Sequence, residues 1–177
     1  MKITEMTTDE IMAERRRYEE IVAGCRYQSP QEIADLFEAY TMLIWKHKQV
    51  GLVYQFYNDT IEVQKSGCES QSGADKVVKD TLAMLAEFPD LTCEFCDIHC
   101  TGDAENGFRF GQVLYNEAST AEGIGPDGPC VPRETVPYEF LAMCECWVRF
   151  ANGKWRLVDE ASIRSAGCVR RLRGREA

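Results

Sequence analysis

Two histidines, nine cysteines and a pair of adjacent carboxylates near the end of the chain are the side chains with chemistry to offer. Asp97 and His99 lie two residues apart in an alternating segment, so they share a strand face. A carboxylate that orients an imidazole is the core of a general-base dyad, and a solvated polar pair on an outer strand face has the same spacing. Cys93-Glu94-Phe95-Cys96 has the spacing of a redox or zinc motif, but strand positions three apart point to opposite faces and cannot easily share a metal. Cys144 and Cys146 do share a face, yet neither pair has the second knuckle or the histidine partners of a zinc site. The expectation is no metal and no cofactor, with cysteines used as small core hydrophobes; the odd count argues against a disulfide framework. Asp159 and Glu160 are strand neighbours, so one faces in and the other out. Trp155, Leu157 and Asp159 fall on one face, and the apolar pair marks the core side, which favours Asp159 as the inward carboxylate.

The elements that must position these groups start with a helix capped by Thr7 or Thr8, carrying Ile11, Met12, Tyr18, Ile21 and Val22 and ended by Gly24. It reads as an appended arm, residues 1–28. A second helix opens at Ser29, with Pro30 at its first position and Glu32 completing a capping box. Ile33, Leu36, Phe37, Tyr40, Leu43, Ile44 and His47 recur along it at helical spacing, giving one apolar face. The run from Leu52 to Gln64 passes from helix end into a short strand, Ser66–Gly73 reads as a polar loop, and Ala74–Glu87 as a helix that Pro89 stops.

Three long alternating segments follow, Leu91–Thr101, Gly107–Thr120 and Tyr138–Arg149. The last turns at Asn152-Gly153, the dipeptide of a tight type I′ hairpin, into Lys154–Ile163, so antiparallel pairing is expected. Between the second and third segments, Ala121–Pro137 holds four prolines and is too rich in breakers for regular structure. It reads as a lid over one end of the sheet or an excursion used in dimer contacts.

At 177 residues the chain has single-domain length, with 45% hydrophobic residues and no apolar run long enough to cross a bilayer. The N-terminal stretch mixes acids with three consecutive arginines and lacks a signal peptide's apolar core, so a cytoplasmic protein without membrane partners is expected. A net charge of −9 repels a phosphate backbone and speaks against nucleic acid as partner. The one basic cluster lies at the end, where residues 173–177 read as a solvated tail.

The order of helices, the Glu87-Phe88-Pro89-Asp90-Leu91 turn, and a final strand Gly153-Lys154-Trp155-Arg156-Leu157-Val158-Asp159-Glu160 before Gly167-Cys168-Val169-Arg170-Arg171-Leu172 resemble the SnoaL-like polyketide cyclases of the nuclear transport factor two-like superfamily. The resemblance covers about Pro30 to Leu172 and implies an α+β fold over residues 29–172. Its implied form is a curved antiparallel sheet wrapped around helices as a cone-shaped α+β barrel, with an extra N-terminal helix. It also implies a pocket for a hydrophobic small molecule, and a carboxylate on the last strand acting as acid and base without a cofactor, as in a lyase or isomerase.

Glu160 is the position closer to the family's Trp-Asp-Glu-Trp-Asp stretch, here Val158-Asp159-Glu160-Ala161-Ser162 with both tryptophans missing; Asp159 is the face-based alternative. Such chemistry needs a donor where negative charge collects on the substrate oxygen. His47, Tyr54, His99, Tyr115 and Asn116 are the candidates, and Tyr57 and Trp155 join Tyr54, Tyr115 and Asn116 as substrate-contacting residues. The strand Asn58-Asp59-Thr60-Ile61-Glu62-Val63-Gln64 lacks the histidine often found there in the relatives, so the site is not a straight copy. A non-catalytic binding or dimerisation module is the competing reading, and a homodimer is expected in either case because an open sheet face needs covering.

Overall fold

A computed structural model describes residues 3–65, 70–118, 124–125, 128–129 and 138–172. Helix α1 (Thr8–Gly24) starts on a capping box: Thr7 Oγ1 accepts from the Glu10 amide, and the Thr7 amide donates to Glu10 Oε2 at 2.7 Å. Helix α2 (Pro30–Trp45) is capped by Ser29, while the Glu32 carboxylate accepts from the Gln28 amide, one residue earlier than a standard box. The apolar stripe of α2 is buried over its whole length, and Phe37 stacks on Phe110 of the sheet with ring centroids 4.1 Å apart. Burial of each large apolar side chain on this stripe contributes roughly 2–3 kcal/mol. Helix α3 (Val53–Phe56) is a single turn, and α4 (Ala74–Glu87) covers the sheet beside α2 with Val77 and Thr81 buried, although Leu82 on the same sequence stripe is exposed.

The main sheet has six strands in the order β2-β1-β8-β7-β4-β3: β1 (Tyr57–Lys65), β2 (Ser70–Ser72), β3 (Thr92–Asp103), β4 (Gly107–Ala118), β7 (Tyr138–Ala151) and β8 (Lys154–Ser165). Two-residue strands β5 (Ile124–Gly125) and β6 (Gly128–Pro129) pair separately, and α5 (Ala166–Leu172) ends the described chain. Asn152 and Gly153 both have positive φ and join Ala151 to its partner Lys154, the tight hairpin expected.

The expected cone-shaped barrel is corrected here. The sheet is an open ladder that runs from edge strand β2 to edge strand β3, neither closed nor strongly curled around the helices, and it is mixed because β1 runs parallel to β8. A chain that returns through α4 from the β1–β2 hairpin to the far edge leaves two unpaired edges instead of one closed seam. Part of the stretch read as a polar loop is strand β2, paired with β1. The described part of α1 docks through Tyr18 on Ala39, Met42, Leu43 and Cys93. Most of the proline-rich 121–137 segment, and the 173–177 tail, lie outside the described residues. No helix among the described residues is long and apolar enough to cross a membrane.

Candidate functional site

Between α2, α4 and the facing side of the sheet lies a hollow of about 120 Å³. Its walls are largely apolar: Phe37 and Ile44 from α2, Val77 and Met84 from α4, Phe110 and Leu114 from β4, and Leu157 from β8. Into this lining project Tyr40 and Thr41, Tyr57, Gln112 and Asn116, Cys144 and Cys146, and, from β8, Glu160, Ser162 and Arg164.

Glu160 faces the hollow because β8 carries a bulge. Leu157 pairs with Val148 and Asp159 with Trp147, so Val158 is an extra residue opposite the gap between them. The two-residue alternation slips by one at that point, and Leu157 and Glu160, three apart, share the inner face. Asp159, favoured as inward by strict alternation, is exposed and paired across the sheet with Glu62, so that preference is corrected. The same device acts in β3: Phe95 pairs with Leu114 and Asp97 with Val113, leaving Cys96 as the bulged residue. Ile98 and Cys100 therefore turn to the core, and Asp97 and His99 to the outside.

Tyr57 donates its hydroxyl to Glu160 Oε2 at 2.6 Å. Burial pushes the Glu160 carboxyl above the usual range; the Tyr57 hydrogen bond and the charges of Arg164 and Lys65 pull the other way without cancelling it. Burial likewise holds the phenols of Tyr40 and Tyr57 well above their ordinary value, with the Glu160 charge adding to the shift, so both remain proton donors at neutral pH. Tyr40 is 4% exposed and its hydroxyl has no hydrogen-bond partner. Asn116 is buried in the hollow and spends an amide hydrogen on the Leu114 carbonyl at 3.2 Å. At the α4 side, Lys65 is paired with Asp80, which also accepts from Lys76. The Cys146 thiol lies 3.9 Å from that of Cys144, and burial raises it far from the thiolate range, which suits packing rather than nucleophilic attack. All seven described cysteines are free.

The remaining sequence candidates are elsewhere. His47 falls beyond the last turn of α2, where its amide bonds back to Met42 O, and its ring swings toward α1. It is 1% exposed, with Nε2 2.9 Å from Glu14 Oε2 and its ring edge-on to Tyr18, and takes no part in lining the hollow. His99 is exposed, its Nδ1 3.3 Å from Asp97 Oδ2. Tyr54 is exposed and donates to Asp75 at 2.9 Å. Tyr115 bonds to Glu139 and lines a separate recess with Glu94 and Glu117. Trp155 stacks on Tyr27 at 5.1 Å in the core. Of the nine residues singled out in the sequence, Glu160, Tyr57 and Asn116 come together in the hollow.

Tyr40, Arg164 and the two thiols went unmarked as site residues. Tyr40 had a signal, a hydroxyl placed on the wholly apolar stripe of α2. Arg164 had one too, since it follows Glu160 and Ser162 at two-residue steps. Neither signal is usable until the facing of Glu160 is known, and the bulge at Val158 leaves no glycine or proline to announce it.

No family model matches the chain, and no curated protein matches its sequence. Solved structures do match in shape. An uncharacterized protein with a cystatin-like fold from Caulobacter vibrioides is 17% identical with a TM-score of 0.57, over 80% of this chain and 95% of that one. Nuclear transport factor 2 from Cryptosporidium parvum is 12% identical with a TM-score of 0.54, over 78% and 98%. A candidate SnoaL-like polyketide cyclase from Jannaschia sp. CCS1 is 7% identical with a TM-score of 0.51, over 73% and 85%. Identities this low carry the fold alone: the chain shares its fold with these structures, and no family is shown.

Proposed function

We propose that the chain binds a hydrophobic carbonyl compound in the hollow and acts on it without a cofactor as a lyase or isomerase, with Glu160 as acid and base. The observation that carries this reading is a carboxyl group in an apolar hollow, one oxygen held by Tyr57 at 2.6 Å and its proton affinity raised by burial. The other oxygen is left to take a proton from the carbon next to the substrate carbonyl. As that C–H bond breaks, negative charge collects on the carbonyl oxygen, and the free hydroxyl of Tyr40 is the donor that receives it. The same carboxyl then returns the proton to another atom of the enolate, which completes an isomerisation; where the enolate carbon has instead formed a bond to a second carbonyl carbon of the ligand, the proton goes to the alkoxide oxygen left there, which completes a ring closure.

The test is deuterium wash-in at the α-carbon of a panel of hydrophobic ketones in D₂O, followed by NMR. The wild type is expected to exchange at least one member, and Glu160→Gln to lower the rate by about 100-fold or more. Binding without exchange in both proteins would leave a non-catalytic binding module. The outer face of the sheet supports a homodimer: Met143 and Ile163, cross-strand neighbours on the side opposite Cys144 and Arg164, are 36% and 51% exposed. Light scattering of the Met143→Asp, Ile163→Asp double variant checks this, with a shift from dimer to monomer expected and an unchanged mass against it.

A further inference from the structure

Arg164 stands out among the groups of the hollow because no carboxylate is in direct contact with it. Its guanidinium lies 5.8 Å from the centroid of the Trp45 ring, and among the described residues it makes no ion pair within 4 Å. Its cross-strand neighbour on β7 is Ala142, whose small side chain leaves room in front of it. The charged and titratable groups that it faces are Glu160 on its own strand, Asp80 on α4, Tyr57 on β1 and Tyr138 on β7. Asp80 is already paired with Lys65 and Lys76, so it supplies no spare negative charge. Glu160 spends one oxygen on Tyr57. Arg164 lines the hollow and is exposed, so its guanidinium, without an ion pair, is open to a ligand that brings the counter-charge.

We propose that Arg164 is the anion-binding residue of the hollow, and that its ligand is a hydrophobic carbonyl compound ending in a carboxylate. This rests on the hollow being the ligand site, as in the function proposed above. The planar fork of a guanidinium matches a carboxylate with two parallel hydrogen bonds, and Trp45 backs the pair as a flat apolar support. Arg164 and Glu160 are four residues apart on one strand face, which places the bound carboxylate roughly 13 Å along the strand from the reacting end, before side-chain reach shortens the gap. The carboxylate end then fixes which carbon is presented to Glu160.

Calorimetric titration with 7-oxooctanoate and with its methyl ester separates the possibilities. The acid is expected to bind at least about tenfold more tightly than the ester, an advantage of about 1.4 kcal/mol, and to weaken as sodium chloride is raised while the ester does not. Arg164→Gln should erase the preference and leave ester affinity unchanged, and Arg164→Lys should keep part of it. A thermal melt of each variant guards against misfolding. Equal binding of acid and ester by the wild type, or equal weakening of both by Arg164→Gln, would overturn the proposal and leave Arg164 as a counter-charge for Glu160, with the acid-base reading intact. Failure of both compounds to bind would overturn this proposal and count against a carbonyl ligand in the hollow as well.

Discussion

Two polar clusters hang on α2, and they are built on opposite terms. Beyond its C-terminal end, Glu14 of α1 satisfies Lys46 at 2.8 Å and His47 at 2.9 Å, while Gln49 donates to Glu19 at 2.9 Å. Midway along, in the hollow, the Tyr40 hydroxyl and Gln71 Oε1 have no partner, and Arg164 has no ion pair among the described residues. A polar cluster whose members complete one another fastens one element to another. A cluster whose members do not spend their hydrogen bonds and charge on one another leaves them available to a ligand.

The largest effect that sharpens this contrast is expected at Tyr40. Tyr40→Phe should slow α-proton exchange by about 100-fold or more, because it removes the donor to the developing oxyanion. In the same protein it should raise stability by about 1 kcal/mol, since a buried hydroxyl without a partner is lost. Urea unfolding beside the exchange assay checks both, and a loss of stability together with activity would make Tyr40 a packing residue.

Glu14→Ala should act with the opposite sign. It strands Lys46, which is 8% exposed, without a counter-charge, and should cost about 2–3 kcal/mol in urea unfolding at pH 7. A cost below about 0.5 kcal/mol would mean that α1 is not fastened there.

The pH dependence of the two clusters divides them further. Burial lowers the His47 value against the pull of Glu14, and for Glu14 the hydrogen bonds and charges of Lys46 and His47 together outweigh a burial effect that raises it. Both groups are depressed in the folded state, so their stabilisation is present above their ordinary values and fades as pH falls through the folded ones. Glu160 is raised, so the folded protein is favoured below pH 4.5, and that advantage fades as pH climbs through the raised value. Melting curves should therefore show Glu160→Gln more stable than wild type at pH 8 and level with it at pH 4. The deficit of Glu14→Ala should shrink over the same descent. A Glu160→Gln protein less stable at pH 8 would place Glu160 among the fastening residues.

The smallest change is expected at His99. It is exposed, beside Asp97 and over Gly111 of β4, so His99→Ala should alter both stability and exchange within about 0.5 kcal/mol. A larger loss of exchange would return the Asp97–His99 pair to the list of catalytic groups.

Much of the architecture was legible in the sequence because it is local. Thr7 and Ser29 cap the helices where their hydroxyls fall, Pro89 follows the end of α4, and Asn152-Gly153 turns the hairpin since both residues take positive φ. The site was legible only in part. Glu160, Tyr57 and Asn116 were named among nine residues, while Asp159 was favoured as the inward carboxylate for one reason: alternation was carried straight across Val158.

Residue type and short-range spacing, then, determined the helices, the hairpin and the presence of a carboxylate pair on the last long strand. The tertiary structure decided which member of that pair faces the hollow, that the sheet stays open and mixed, and that Tyr40 and Arg164 line the same hollow as the carboxyl. Register and strand order arise from pairing between residues far apart in the chain, and a single extra residue in one strand reverses every side chain beyond it.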